Sequence, residues 1–211
     1  MNKETMGFMI GFVTLGLFVF AGGGCITGDS QEPDYFVLEP ISGESSPESN
    51  FSQSESFHVS QVEMPAYLDG TRIVERTSRN QLSYAEFHRW GESLGLGIAR
   101  VVANDLSSSL GVLNYSNYPN RTRTNNRYEI AITVQQFERV PKGKVNIEGS
   151  WRLFRDRKQK LIFRFKESIP VVGLGQSATV KAMSVALRRV SDRIAVRFTK
   201  YLKEEAVSSE P

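Results

Sequence analysis

The stretch YEIAITVQQFERVPKGKVNIEGSWRLFRDRKQKLIFRF, residues 128–165, decides the fold of this chain. Apolar residues alternate with polar or small ones in three runs, at residues 128–134, 145–153 and 161–165, which is the period of half-buried strands. The turns between the runs are short and polar, PKGK at the first and DRKQ at the second. Three such strands joined by short turns predict an antiparallel meander.

Short strand patterns also precede the meander. They occupy residues 34–38, 57–62 and 72–76, where β-branched and aromatic residues are frequent. Pro65 ends the second pattern, because a proline cannot donate a hydrogen bond to a strand ladder. We expect these patterns to add further strands to the sheet.

Two helices complete the predicted fold. Ser83 and Glu86 match a capping box, and apolar residues at helical spacing follow up to a stop at Gly111, which predicts a helix over residues 83–110. Residues 180–198 carry one apolar stripe with arginines opposite, which predicts a second helix. The order strands, helix, strands, helix predicts a single α+β domain, with two long helices packed on one face of a mostly antiparallel mixed sheet.

The composition is that of one globular domain. The chain has 211 residues, 40% hydrophobic and 23% charged, and a formal net charge of +3, which is too small to argue for nucleic acid. The predicted organisation is a leader at residues 1–24, a tether at 25–33, a domain at 34–202 with a flexible insertion at about 41–56, and a polar tail at 203–211.

The leader is an apolar segment that ends at the single cysteine of the chain, Cys25. Its core of about 15 residues has the length of a signal-peptide core and is short for a membrane-spanning helix. The segment resembles a bacterial lipoprotein signal, whose cysteine accepts a diacylglyceryl group. Gly22 stands where the lipobox usually holds an aliphatic residue. A soluble protein released by a cut between Gly23 and Gly24, and an uncleaved anchor, therefore stay open as alternatives.

Four parts of the chain resemble the conserved segments of one family. In chain order they are MPAYLD at 64–69 with RIVER at 72–76, FHRWGESL at 87–94, FERVPKG at 137–143 with WRL at 151–153, and KAMS at 181–184. Their order and spacing are similar to those of the PqiC-like family, the auxiliary lipoprotein component of ABC-type transport systems.

The resemblance implies an outer-membrane lipoprotein that faces the periplasm. It implies work with an MCE-domain protein and inner-membrane permease components in lipid transport and envelope integrity, contact with outer-membrane phospholipid, and a homo-oligomer. Ile26 agrees with the outer membrane, because an aspartate at that place commonly retains a lipoprotein in the inner membrane. A solute-binding lipoprotein and a generic structural envelope lipoprotein are the alternatives.

One candidate functional surface is the rigid aromatic corner formed by Pro65, Tyr67 and Leu68, together with Arg76. Tyrosine is favoured at protein interfaces, so the corner is a candidate partner or oligomer surface. The alternative is that these residues end a strand and pack in the core.

A second candidate is a basic patch drawn from two clusters, Arg121 with Arg123 and Arg155 with Arg157 and Lys158. Such a patch would meet lipid headgroups or an acidic partner. The alternative is a solvated loop and a solvated hairpin tip.

The sequence carries no motif of a reaction centre. It has no G-x-S-x-G, P-loop or paired-carboxylate pattern, and its two histidines, His58 and His88, lack further ligands at metal-binding spacing. We therefore expect no enzyme activity, no cofactor and no metal.

Overall fold

The computed structural model of the protein describes residues 31–41, 56–120 and 126–208; the leader, Cys25 and nearly all of the predicted insertion lie outside them. The elements follow in the order β1 Asp34–Phe36, β2 Phe57–Val59, a 3-10 turn Ala66–Leu68, β3 Arg72–Ser78, β4 Gln81–Trp90, α1 Leu94–Leu110, β5 Tyr115–Asn117, β6 Tyr128–Val140, β7 Lys144–Arg155, β8 Lys158–Pro170 and α2 Gly175–Ser208.

The predicted meander is confirmed. β6, β7 and β8 pair antiparallel along nearly their whole lengths. The β7–β8 hairpin closes through Asp156 and Arg157, both at positive φ (50° and 64°). Two residues at positive φ match the right-handed twist of the strands on either side, so this short turn joins them without splaying them.

β6 is the strand from which the rest of the sheet branches. One edge of β6 pairs with β7, while its other edge pairs parallel with β2 near its start (Phe57 beside Tyr128) and with β3 near its end (Glu75 beside Arg139). β5 adds to β2, and β4 and then β1 add to β3, which gives an eight-stranded mixed sheet.

This branching defines two ends of the meander. The β6–β7 end contains the β6–β7 turn and the β8–α2 connection. It also contains the β3–β4 turn, because β3 runs parallel to β6. The β7–β8 end contains the β7–β8 hairpin, the start of β6 and the last turns of α2.

The two helices pack against each other and against the sheet. α2 lies on β7 and β8, and α1 lies against β2 and β5, so the predicted α+β fold is confirmed. Among the helices of the described ranges, none has both the length and the apolar character to cross a bilayer. The shared core contains Ile98, Leu106, Ile130, Ile132, Trp151, Leu187 and Phe198.

The predicted start of the first helix is wrong. Residues 81–90 form β4, which pairs antiparallel with β3 and parallel with β1. Pairing with β3, which places Ser83 beside Glu75, outweighs the apparent capping box, and β1 adds pairing only at the end of β4. The helix begins at Leu94 instead, with Ser93 as its N-cap, and it ends at Gly111 as predicted. α2 also differs from expectation, because it continues through the predicted polar tail to Ser208.

Candidate functional site

The aromatic corner is a short 3-10 turn that follows Pro65. Leu68 is buried in the core, so it anchors the turn and presents no surface to a partner. Tyr67 is half-buried and directs its hydroxyl to β6, where it donates to Glu138 over 3.1 Å. The structure therefore separates the predicted corner into an inward anchor and a side chain that reaches the sheet.

Glu138 is the centre of this cluster, and it is not among the residues predicted from the sequence. Its fully buried carboxylate is 2.7 Å from Arg76 Nε, and it also accepts hydrogen bonds from Tyr67 Oη, Gln136 Nε2 (2.9 Å) and the Phe137 backbone N–H (3.0 Å). Because β6 also carries Glu129, Gln135, Gln136 and Arg139, its sequence does not single out Glu138. The burial of Glu138 explains the cluster, since buried charges are normally paired.

The electrostatics of the cluster favour a structural role. Burial, and after it the charge of Glu138, raise the pKa of Tyr67 to about 12, so its hydroxyl remains a donor at neutral pH. The Arg76 guanidinium also lies 5.9 Å from the centre of the Tyr67 ring. All these groups converge on one carboxylate, so the cluster joins β3, β6 and the 3-10 turn. We call it the Glu138 latch.

Polar contacts continue from the latch to the start of α2. Glu75, one residue before Arg76 on β3, accepts a hydrogen bond from Gln176 over 2.9 Å. Arg139, one residue after Glu138, donates to Thr179 over 3.2 Å. The predicted corner and the first turns of α2 are therefore one connected region at the β6–β7 end.

The described residues of the predicted basic patch have different surroundings. Arg155 forms an ion pair with Glu205 on α2, and Glu205 also accepts hydrogen bonds from Tyr128 (3.2 Å) and Tyr201 (2.8 Å). Arg155 therefore fastens the end of α2 to the meander. By contrast, Arg157 and Lys158 are exposed at the β7–β8 hairpin, and Arg121 and Arg123 lie outside the described residues.

The two histidines sit in separate places. His58 is buried, with Nδ1 2.9 Å from Ser116 Oγ, and His88 lies 3.8 Å from Asp34. Across the described ranges, no three potential ligands from His, Cys, Asp and Glu come together as a metal site.

The sequence matches one family model, described as ABC-type transport auxiliary lipoprotein component, over residues 36–195. No curated protein matches the chain. A crystal structure of an uncharacterized protein is 21% identical, with a TM-score of 0.67 over 80% of this chain and 99% of that one. A crystal structure of a protein from Xanthomonas campestris is 16% identical, with a TM-score of 0.66 over 82% of this chain and 99% of that one. These two likenesses concern the fold.

Proposed function

Because the chain belongs to the family of ABC-type transport auxiliary lipoproteins, we propose that it is a lipid-anchored accessory of an ABC-type lipid transport system at the periplasmic face of the outer membrane. Its partners in this proposal are an MCE-domain protein and inner-membrane permease components. The family match over residues 36–195 carries the proposal, and that family is one of transport accessories rather than of enzymes.

The decisive experiment is recovery of the partner. The full chain is purified from crosslinked envelopes, with a Cys25→Ser variant as the control that lacks the acceptor thiol. We expect an MCE-domain protein to co-purify with the wild-type chain and to be depleted with the variant. Repeated recovery of the full chain without any MCE-domain protein would contradict the proposal.

Membrane attachment in this proposal occurs through Cys25. Acyl chains contribute about 0.8 kcal/mol per buried methylene, so a cysteine that carries several chains stays in the bilayer. Mass spectrometry of the mature N-terminus is expected to give a diacylglyceryl-modified Cys25. An unmodified chain that begins at Gly24 would remove the anchor from the proposal and leave the fold unchanged.

The aromatic corner is the proposed contact with another copy or with the partner. The Glu138 latch holds Tyr67 and Arg76 in place beside Pro65, which gives a preorganised surface. A photo-crosslinking residue at the exposed Ala66 is expected to capture a second copy of the chain or the MCE-domain protein. The same residue at Leu113, which is exposed at the other end, is the control. Equal products from both positions would show that the corner is not specific.

The exposed pair Arg157 and Lys158 is the proposed basic contact for an acidic partner surface. Because Arg155 fastens α2, the test reverses only the two exposed charges. Arg157→Glu/Lys158→Glu is expected to lower crosslinking to the MCE-domain protein without changing the melting temperature. Unchanged crosslinking at low salt would show that the hairpin is exposed to solvent and does not contact the partner.

A further inference from the structure

The outer edge of the meander, on β8, is long and pairs with no further strand in the described residues. β8 has 13 residues, and among the strands that the structure describes it pairs with β7 alone. An unpaired strand edge presents backbone N–H and C=O groups that can hydrogen-bond to another extended chain. β1 and β5, which pair with β4 and β2, have three residues each and offer far less backbone.

Positive charge lines this edge on both sides. Exposed cations lie along β8 itself, at Lys158, Lys160, Arg164 and Lys166. A second row lies on the neighbouring face of α2, at Arg189, Arg193, Arg197 and Lys200. Three of the α2 arginines contact β8 side chains. Arg193 and Arg189 lie 2.6 Å and 3.9 Å from Glu167, and Arg197 lies 4.7 Å over the Phe163 ring.

An apolar groove opens between β8 and α2. Its volume is about 410 Å³, and Trp151, Phe163 and Phe165 contribute aromatic side chains to its lining. Trp151 and Phe163 stack with ring centres 5.6 Å apart, and Val196 stands at the groove with 68% of its surface exposed. The groove has room for an apolar side chain beside the guanidinium groups of Arg193 and Arg197.

We propose that the free edge of β8 is a docking site for an extended acidic segment of a partner protein. The segment adds to β8 as a further strand, sets carboxylates against the two rows of cations, and places an apolar side chain in the groove. Cations on an edge strand also discourage aggregation. That protective role accounts for lysines but not for a groove lined by aromatic residues, and strand addition accounts for both.

The choice of an acidic polypeptide follows from the combination of features. Backbone pairing gives affinity, pockets for alternate side chains give specificity, and the sign of the flanking charge selects the partner. A lipid headgroup would use the cations and leave the strand edge unpaired. This docking site is independent of the proposed function, because only the charge and shape of the β8 edge support it.

The test uses the full chain in detergent micelles and a ten-residue peptide that alternates Glu and Val around a central Phe. Hydrogen–deuterium exchange is expected to show saturable protection of the β8 amides. A peptide with Lys in place of Glu should give no protection. Lys160→Glu/Arg164→Glu should weaken binding at least about tenfold, and Val196→Glu should weaken it by blocking the groove.

A matched control reverses two exposed cations away from the edge, Arg79→Glu/Lys181→Glu, and should bind the acidic peptide like the wild type. No protection of β8 at millimolar peptide would overturn the proposal, as would equal loss in the control. If Lys160→Glu/Arg164→Glu abolishes self-association in sedimentation and the peptide has no effect, the edge belongs to a second copy. If Lys160→Glu/Arg164→Glu loses only its binding to anionic vesicles, the β8 edge binds lipid headgroups and the proposal is overturned.

Discussion

Gly149 on β7 occupies a position that has no room for a side chain. A Cβ atom there would lie 2.2 Å from the Thr133 carbonyl oxygen and 2.7 Å from Phe165 Cζ. The contact arises beside the bulge of β6, where the register shifts after Val134. Gly149→Ala must therefore move backbone, and we expect a loss of about 1–3 kcal/mol in the free energy of unfolding in urea.

Gly70 is the matched control for this prediction, because a Cβ atom there would meet nothing within 4 Å. Gly70→Ala is expected to change the free energy of unfolding by no more than about 0.5 kcal/mol. Equal effects of the two substitutions would show that the close approach at Gly149 does not limit packing.

The Glu138 latch supports a second prediction at the residue scale. Glu138→Gln removes the charge that faces Arg76 in a fully buried position, and breaking a buried pair is strongly destabilising. We expect the free energy of unfolding to fall by about 2–4 kcal/mol. The control is Glu148→Gln, which breaks the exposed pair with Lys166 and should cost about 0–1 kcal/mol. A loss at Glu138 as small as that at Glu148 would contradict the latch.

The latch also shows what sequence reasoning could reach at this scale. Tyr67 and Arg76 were predicted as one candidate surface because they are close in the chain and chemically suited to contacts. Glu138 lies 62 positions beyond Arg76 and meets it only because β3 pairs with β6. Leu68 was predicted in the same surface, but whether it points outward or inward depends on the turn after Pro65, which the pattern of residue types does not determine.

At the scale of elements, the meander was predictable and β4 was not. Alternation in β6, β7 and β8 is a local signal that hydrogen bonding to neighbouring strands reinforces. In residues 81–90, Phe87 and Trp90 happen to fall at helical spacing with Leu94, and Ser83 with Glu86 imitates a cap. The deciding interactions are pairing with β3, which precedes β4 directly in the chain, and pairing of the last β4 residues with β1, which is distant in sequence. Strand pairing therefore overrode the apparent helical pattern.

The contact between the two helices contains a buried carboxyl with a perturbed pKa. Burial raises the pKa of Asp105 on α1 to about 6, although the Ser191 hydroxyl and the Arg188 guanidinium on α2 partly oppose the shift. The folded state therefore retains this proton between about pH 4 and pH 6, where the unfolded chain releases it. The contribution of Asp105 to stability is full below pH 4 and is lost as the pH rises through 6.

Asp105→Asn tests this pH dependence. The difference in unfolding free energy between variant and wild type should grow in favour of the variant from pH 4 to pH 6, by up to about 3 kcal/mol, and then level off. Urea titrations at several pH values measure that difference. The carboxyl groups common to both proteins contribute equally to each, so their contributions cancel in the difference. Parallel curves across this range would show that Asp105 titrates normally.

At the scale of the whole domain, the β6–β7 end carries an exposed apolar loop. Val172 and Leu174, between β8 and α2, are 83% and 96% exposed. A backbone hydrogen bond from Val171 to Gly143 (2.8 Å) holds this loop against the β6–β7 turn, which also carries Lys142. Apolar side chains beside lysines suit the headgroup region of an anionic bilayer.

The position of β1 favours neither end. It runs parallel to β4, but Asp34 lies beside His88, near the end of β4 and away from the β3–β4 turn. Eight residues lie between Cys25 and Asp34, and the chain between them reaches at most about 30 Å. If Cys25 is acylated, we expect the exposed loop with Val172 and Leu174 to bring the β6–β7 end to the bilayer, and the hairpin with Arg157 and Lys158 to face away from it.

This orientation predicts which substitutions weaken membrane contact. Val172→Ser/Leu174→Ser in a chain that starts at residue 25 and also carries Cys25→Ser should lower partition into phosphatidylglycerol vesicles at least about tenfold, because each buried aliphatic side chain contributes about 1.5–3 kcal/mol. Leu113→Ser, at an equally exposed position near the β7–β8 end, is the control and should change nothing. Arg157→Glu/Lys158→Glu separates the two orientations. If the hairpin variant loses vesicle binding while the loop variant retains it, the hairpin contacts the membrane and the orientation of the domain is the reverse of the one expected here.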